Sequence, residues 1–598
     1  MSNDNIREAY RKLKGTVYYD KTLAYIRTRI AEYEDKEIDS KLNELAKALG
    51  NDNRWNVVEE RILKSISVLT FPKSIRYLEE RDKDAPIVVS NVQANRTYVE
   101  KYNNFIDMSV EGFLVGILWV INIGYAIDKS LSESCYGNRL RENLVLKEGD
   151  VTASPNLFRP YFDQYETWRN NGLDKAKDYI NNFGQNIVIT MLDLSRYYYN
   201  VDFTQDDFYE LTRNKDLDNK QKRINNTVFK IIETYSKKCG VEHIILPIGF
   251  QPSNILANAY LVHLDAKISG IPGTVYYGRY VDDIMWVQSA ENYVSLVDLI
   301  HNEGSQVIAS TVINDLIKRG IIANNSEKYA ISGEKYLEVE QSKFRFFFLD
   351  KDGSKDLIEN IKKDIQSNTS EFNFIPEEYA GDYNSNLFKL ERDDTVNKVR
   401  GITGAVLDKY ALSKSIGKSV LMSAFTEDTQ VDGFIDCIEQ ILDSKEIISN
   451  YLLWESILNY YIVNRRVLRI IDFTASVMNA LEMLDEDSYK KDKYKYLSDN
   501  KEDIRGVKES LVYHYWSCLG RSLAIVWGEE IPAVLREITD IINTSVIQEK
   551  YSHSVLKALR KRYILSRMNN KSVLPVTSKH ILKVYGFMDT GETTYISD

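Results

Sequence analysis

The chain has 598 residues, 43% hydrophobic and 27% charged, the make-up of an ordinary soluble globular protein and more chain than one hydrophobic core usually serves, so at least two domains are expected. A formal net charge of -10 excludes a surface coated throughout for polyanions but leaves room for a local basic groove. Cys135, Cys239, Cys437 and Cys518 stand far apart without CxxC spacing, which argues against a zinc site or disulfide framework and for a reducing, cytoplasmic setting.

The N-terminal MSNDNIREAYRKLKG is polar and lacks a signal-peptide apolar core. Residues 1–65 read as amphipathic helices, and residues 66–150 are mixed. The run FLVGILWVINIGYAI, 113–127, is too short and too Gly-interrupted for a membrane span and reads as a buried helix. A helix over 161–183 leads into a short apolar strand, NIVITMLDL, 186–194. A helix follows around NTVFKIIETYSKKCG, then another over 252–268, then a strand pair about Asp282 and Asp283. NDLIKRGIIANNSEKYAI comes next, and the strands YLEVEQ and KFRFFFL close this part near 349. From about 395 the apolar spacing is almost wholly helical, and DDTVNKVRG near 393–401 marks the junction. The expected architecture is α+β followed by all-α.

Acidic residues are depleted within strands. Yet NIVITMLDL ends in Asp193, and YGRYVDDIMWV carries Asp282 and Asp283 in a run of aromatic and β-branched residues. Antiparallel pairing of these two strands would bring Asp193 and Asp282 together. Clustered carboxylates are costly unless a cation neutralises them. Hard oxygen ligands suit Mg²⁺, and two such ions about 4 Å apart are the phosphoryl-transfer device of polymerases and nucleases.

Four motifs stand in order over roughly 190–330. YVDD at 280–283 resembles the active-site box of reverse transcriptases, and LDLSRYYYNV, 192–201, resembles their first metal-binding motif. LPIGFQPSNILANAYL, 246–261, is similar to their template- and nucleotide-contacting motif, with Ile248 in place of the usual Gln and Phe250 in place of Ser. IKRGIIANNSEKY, 317–329, resembles the motif that follows, its Gly and Lys falling on Gly320 and Lys328.

The resemblance implies a reverse-transcriptase fingers-palm domain and roles for these positions. Asp193 and Asp282 would hold two Mg²⁺ ions (Mn²⁺ able to substitute), with Asp283 beside them and the Leu194 carbonyl as a further ligand. Tyr198, five positions after Asp193, would pack under the sugar and exclude a 2′-hydroxyl; the plain alternative is a core aromatic. Gly249 would let the backbone approach the incoming base pair, or simply serve a helix-entry turn. Phe250 and Gln251 would stack on template or nucleotide. Lys328 would protonate or screen the pyrophosphate leaving group, unless it is only a surface lysine. For the triphosphate, Lys73 and Arg96 are the favoured fingers cations.

NNFIDMSVEGFLVGILWVINIGYAIDKSLSESCYGNRLR and SPNLFRPYFDQYETWRN resemble the blocks before the palm in bacterial defence-associated reverse transcriptases, the abortive-infection and "unknown group" antiphage enzymes. That branch implies an all-α, repeat-like helical domain in place of the thumb, giving N-terminal helices and fingers over 1–185, palm over 186–394 and helical domain over 395–598. It further implies a homo-oligomer, an RNA template or non-coding RNA, and DNA synthesis that is protein-primed or untemplated, leaving DNA attached to a tyrosine; the chain has 40 tyrosines. Between Lys557 and Lys583 no acidic residue interrupts a basic run. There Arg560, Lys561, Arg562 and Arg567 suit nucleic acid, a solvated helix face being the alternative. Two other readings of the chain stand beside an antiphage polymerase: a conventional RNA-templated reverse transcriptase of a mobile element, and a degenerate palm used as a nucleic-acid-binding or assembly module.

Overall fold

The β-branched and aromatic runs form strands, and the segments with helical apolar spacing form helices, in a mixed α and β chain. The computed structural model describes residues 3–538 except 35–36, 78–96, 143, 145–153, 213–216, 294–295, 326–327, 340–343, 353–357, 361–387, 393–401, 423–426, 443, 485–501 and 526–536. Two units are separately compact: one made of 1–16, 39–67 and 108–370, the other of 17–38, 68–107 and 371–598. Residues 1–185, expected as one N-terminal division, thus contribute to both.

Strands are numbered in chain order: β1 Ser67–Tyr77, β2 Thr97–Asp107, β3 Ile187–Asp193, β4 Thr274–Tyr280, β5 Asp283–Ser289, β6 Ile322–Asn325, β7 Lys328–Ile331, β8 Glu338–Val339, β9 Arg345–Leu349, β10 Phe388–Arg392 and β11 Ile402–Leu407.

In the first unit an antiparallel sheet runs in the order β4-β5-β3-β9. Ile187, Val188, Ile189, Ile284, Trp286 and Val287 are buried in it, as befits β-branched and aromatic side chains on a covered sheet. The helix Tyr161–Phe183 spans the expected residues and ends at Gly184 in the left-handed conformation, φ 59°. Its Trp168 is buried, and the Trp168 carbonyl accepts a 2.9 Å bond from the Tyr276 hydroxyl of β4. The predicted helix over 252–268 is two helices, Gln251–Tyr260 and Val262–Ser269, broken at Leu261. A second small sheet has the order β6-β7-β8.

The apolar run near 113–127 belongs to a continuous helical segment, Val110–Ser130, with a π turn at Val120–Gly124. At 21 residues it is longer than the sequence pattern suggested and is, among the described residues, the one helix long and apolar enough to cross a membrane. Of its most apolar window, 72% is buried inside the protein, the burial of a core helix.

In the second unit β1 and β2 pair with each other and pack on helices from the distant C-terminal part. Phe71 stacks on Tyr451 at 5.4 Å between centroids and meets His514 edge-on at 5.7 Å. The Thr70 N–H donates to Ser510 Oγ at 2.8 Å. The helices Trp454–Val463, Arg469–Glu482 and Glu502–Ile525 bury Trp454, Phe473, Tyr515 and Trp516. This unit is not all-α beyond 395: β11 follows the expected junction and pairs antiparallel with β10 before it, so the 394/395 boundary falls between two paired strands.

Candidate active site

The register of β3 against β5 sets Asp193 directly opposite Asp283, not Asp282. Residues so paired have Cα atoms about 4.5–5.5 Å apart. Tyr280 of β4 pairs with Asp283 of β5, so Val281 and Asp282 form a two-residue hairpin turn. Asp282 enters the same corner through its carbonyl, which accepts from the Leu194 N–H at 3.3 Å. Three half-buried carboxylates therefore gather at one end of the sheet. Like charges directly opposite destabilise a sheet, and Val281, β-branched, is held at φ 58°, a conformation such residues rarely adopt.

Buried polar groups hold this corner in place. Arg279 on β4 is fully buried and pairs with Asp265 through two contacts of 2.7 and 2.9 Å. Its guanidinium also donates to Asn258 Oδ1 at 2.9 Å and to the Val281 carbonyl at 3.3 Å. The segment Ser134–Asn138 runs beside β4: Arg279 N–H donates to the Ser134 carbonyl at 2.8 Å, and Tyr136 N–H to the Arg279 carbonyl at 2.9 Å. Asn258 Nδ2 donates to the Gly137 carbonyl at 2.7 Å. Arg279, Asp265 and Gly137 were not singled out from the sequence, and Asn258 only as a matching position of the 246–261 motif. The signals were a lone basic residue in an apolar strand and an Asn in the 246–261 motif.

Tyr198, half-buried, donates its hydroxyl to Asn254 Oδ1 at 2.8 Å and accepts from Asn138 Nδ2 at 3.3 Å. Burial, and then the charge of Asp282, push its phenol well above the ordinary value. Its carbonyl accepts from the Leu246 N–H at 2.9 Å, which ties the 246–251 loop to the short helix Tyr197–Asn200 that follows β3. In that loop Gly249 has φ 89°, a conformation that favours glycine.

Phe250 and Gln251 differ from expectation. They are 1% and 3% exposed, and the Phe250 ring lies against Gly116, where a β-carbon would come within 2.5 Å of it. In this structure Phe250 is a core side chain, because the helix Gln251–Tyr260 and the segment Val110–Ser130 pack face to face over it.

Lys328 opens β7, is exposed, and pairs with Glu338 Oε2 at 2.7 Å. The Glu338 carbonyl in turn accepts from the Ser195 N–H at 2.8 Å, two residues beyond Asp193. The Leu194 side chain is fully buried. Lys73 is exposed on β1 in the other unit. Arg96 and the basic residues Arg560, Lys561, Arg562 and Arg567 lie outside the described residues.

The donor chemistry of Asp193, Asp282 and Asp283 fits Mg²⁺, which is commonly bound through one or two carboxylates plus substrate phosphates. Among the described residues no group of three or more His, Cys, Asp or Glu side chains is arranged to hold a metal ion on its own. No family model and no curated protein matches this chain.

Proposed function

We propose that this chain is a nucleotidyltransferase, a DNA polymerase of reverse-transcriptase type that adds deoxynucleoside triphosphates and acts in antiphage defence. The observation that carries the reading is the β3–β5 register, with Asp193 opposite Asp283 and Asp282 in the adjoining turn. In this reading Asp193 and Asp282 hold Mg²⁺, or Mn²⁺ in its place, with Asp283 beside them. Such ions, when bound, activate the attacking hydroxyl and neutralise charge on the transferred phosphoryl group.

The rest falls to the chain's own side chains. Tyr198, whose phenol is raised first by burial and then by the nearby charge of Asp282, serves as a wall under the sugar. Gly249, without a side chain, leaves room for the incoming base pair. Lys328, held by Glu338, supplies a positive charge for pyrophosphate. The antiphage setting, a cytoplasmic homo-oligomer, an RNA template or non-coding RNA, and attachment of the DNA product to a tyrosine follow from the resemblance of the motifs.

The test is incubation of the purified chain with labelled dNTPs and Mg²⁺, with and without template and primer, followed by denaturing electrophoresis. Incorporation that Asp193→Asn and Asp282→Asn abolish is expected, with label on the protein band when no primer is supplied. No incorporation under any of these conditions overturns the polymerase reading, and label only on free DNA overturns the tyrosine attachment.

A further inference from the structure

The Tyr198 hydroxyl is held from two sides by two separate elements. Asn254 stands on the helix Gln251–Tyr260 and takes the phenolic proton at 2.8 Å. Asn138 stands 60 positions before Tyr198 and donates to the phenolic oxygen at 3.3 Å. The donor and one acceptor site of the phenol are thereby used, and the backbone of Tyr198 is fixed separately by Leu246. With both ends tied, the ring has one position.

Asn138 is itself unusual. Its φ is 53°, in the left-handed region that non-glycine residues seldom enter and that Asn tolerates best. This conformation points to a residue chosen for its side chain at a place where Gly would serve the backbone. Its neighbour Gly137 abuts the carboxylate turn: a β-carbon there would lie 2.7 Å from the Val281 backbone nitrogen. Two adjacent residues of one segment therefore touch the turn that carries Asp282 and the ring of Tyr198. That segment sets the gap between them.

We propose that Asn138 is a specificity-determining positioning residue: by holding the Tyr198 hydroxyl it fixes the space beside Asp282 in which the sugar of a nucleoside triphosphate sits. The inference rests on the polymerase reading above and adds to it that sugar discrimination depends on a residue outside all four catalytic motifs.

The test compares kcat/KM for a dNTP and the matching rNTP, the proper measure of discrimination. Asn138→Gly keeps the left-handed backbone accessible and removes the amide. The dNTP preference is expected to fall by about fivefold, the worth of one hydrogen bond. Tyr198→Phe removes the shared hydroxyl and should give a similar loss. The double variant should lose no more than either single one, because both act through one contact. A residue that only supports the fold would instead lower both kcat/KM values together and add to Tyr198→Phe. Asn254→Ala, which releases the other side of the hydroxyl, is the second variant and should also lower the preference. Incorporation with an unchanged ratio, or with additive losses, overturns this inference alone. A wild-type chain that incorporates neither nucleotide overturns the polymerase reading and this inference with it.

Discussion

Gly137 and Val281 are in contact so close that a β-carbon on Gly137 would sit 2.7 Å from both the Val281 Cγ2 methyl and the Val281 nitrogen. Neither atom can withdraw cheaply. The nitrogen belongs to the hairpin backbone, and the valine is already held at φ 58°. Gly137→Ala should therefore displace the turn that carries Asp282. We expect nucleotide incorporation to fall at least tenfold, about the effect of small misplacements of reacting groups, and stability to drop by about 1–3 kcal/mol. Steady-state kinetics and urea unfolding check this. Wild-type activity in the alanine variant would show that the turn tolerates the shift and that the contact is incidental.

The facing carboxylates make an opposite pair of demands on activity and stability. Asp193 and Asp283 are directly across from each other, and like charges so placed disfavour the sheet. Asp193→Asn should abolish incorporation while raising stability in metal-free buffer by about 0.2–1 kcal/mol. Thermal unfolding with a chelator, set beside the incorporation assay, reads both. A variant that loses stability without metal contradicts the repulsion argument, and one that retains full activity contradicts the metal assignment.

Phe250 distinguishes core packing from template stacking. With its ring 1% exposed, Phe250→Ala should cost about 3–5 kcal/mol through the cavity it leaves. Phe250→Leu should recover much of that loss and leave template length and sequence preference unchanged. Denaturant midpoints and a template-competition assay decide between the readings. Altered template preference with unaltered stability would restore the stacking role.

Buried tyrosines predict an alkaline limit to the fold. Burial pushes the phenols of Tyr25, Tyr197, Tyr198, Tyr277 and Tyr461 above the ordinary value of 10.0. A folded-state value above the unfolded one favours the protonated form in the native chain. The stability linked to these groups is thus fully present below about pH 10 and is lost as pH rises beyond it. Urea midpoints from pH 8 to 11 should hold steady and then fall, and the phenolate absorbance should lag behind that of free tyrosine until unfolding. Midpoints that stay flat through pH 11 would falsify the prediction.

Local sequence determined a good deal here. Apolar runs rich in β-branched and aromatic residues marked β3, β4 and β5, and the helix read over 161–183 is Tyr161–Phe183 to the residue. The order of motifs singled out Asp193, Asp282, Asp283 and Tyr198, and the fold sets the three aspartates at one end of the sheet. These are short-range signals: propensity, periodicity and the rarity of acids in strands.

Tertiary structure alone decided which partners meet. β3 and β5 are buried along nearly their whole length on both faces, so no alternation of apolar and polar residues marked their register, and only pairing across the sheet set Asp283 rather than Asp282 opposite Asp193. The segment Ser134–Asn138 carries no strand pattern, and its place beside β4 comes from backbone bonds to Arg279 and from Asn258 and Tyr198 at distant positions. Phe250 occupies a position where the motif it resembles has a polar residue, and in the fold it is buried against Gly116. The strands β1 and β2 precede the β4-β5-β3-β9 sheet in sequence but pack on helices some 400 residues later, Thr70 bonding Ser510 across a separation of 440. Contacts of that range leave no periodic trace in the chain, because each is settled by the fit of two surfaces that the local sequence forms separately.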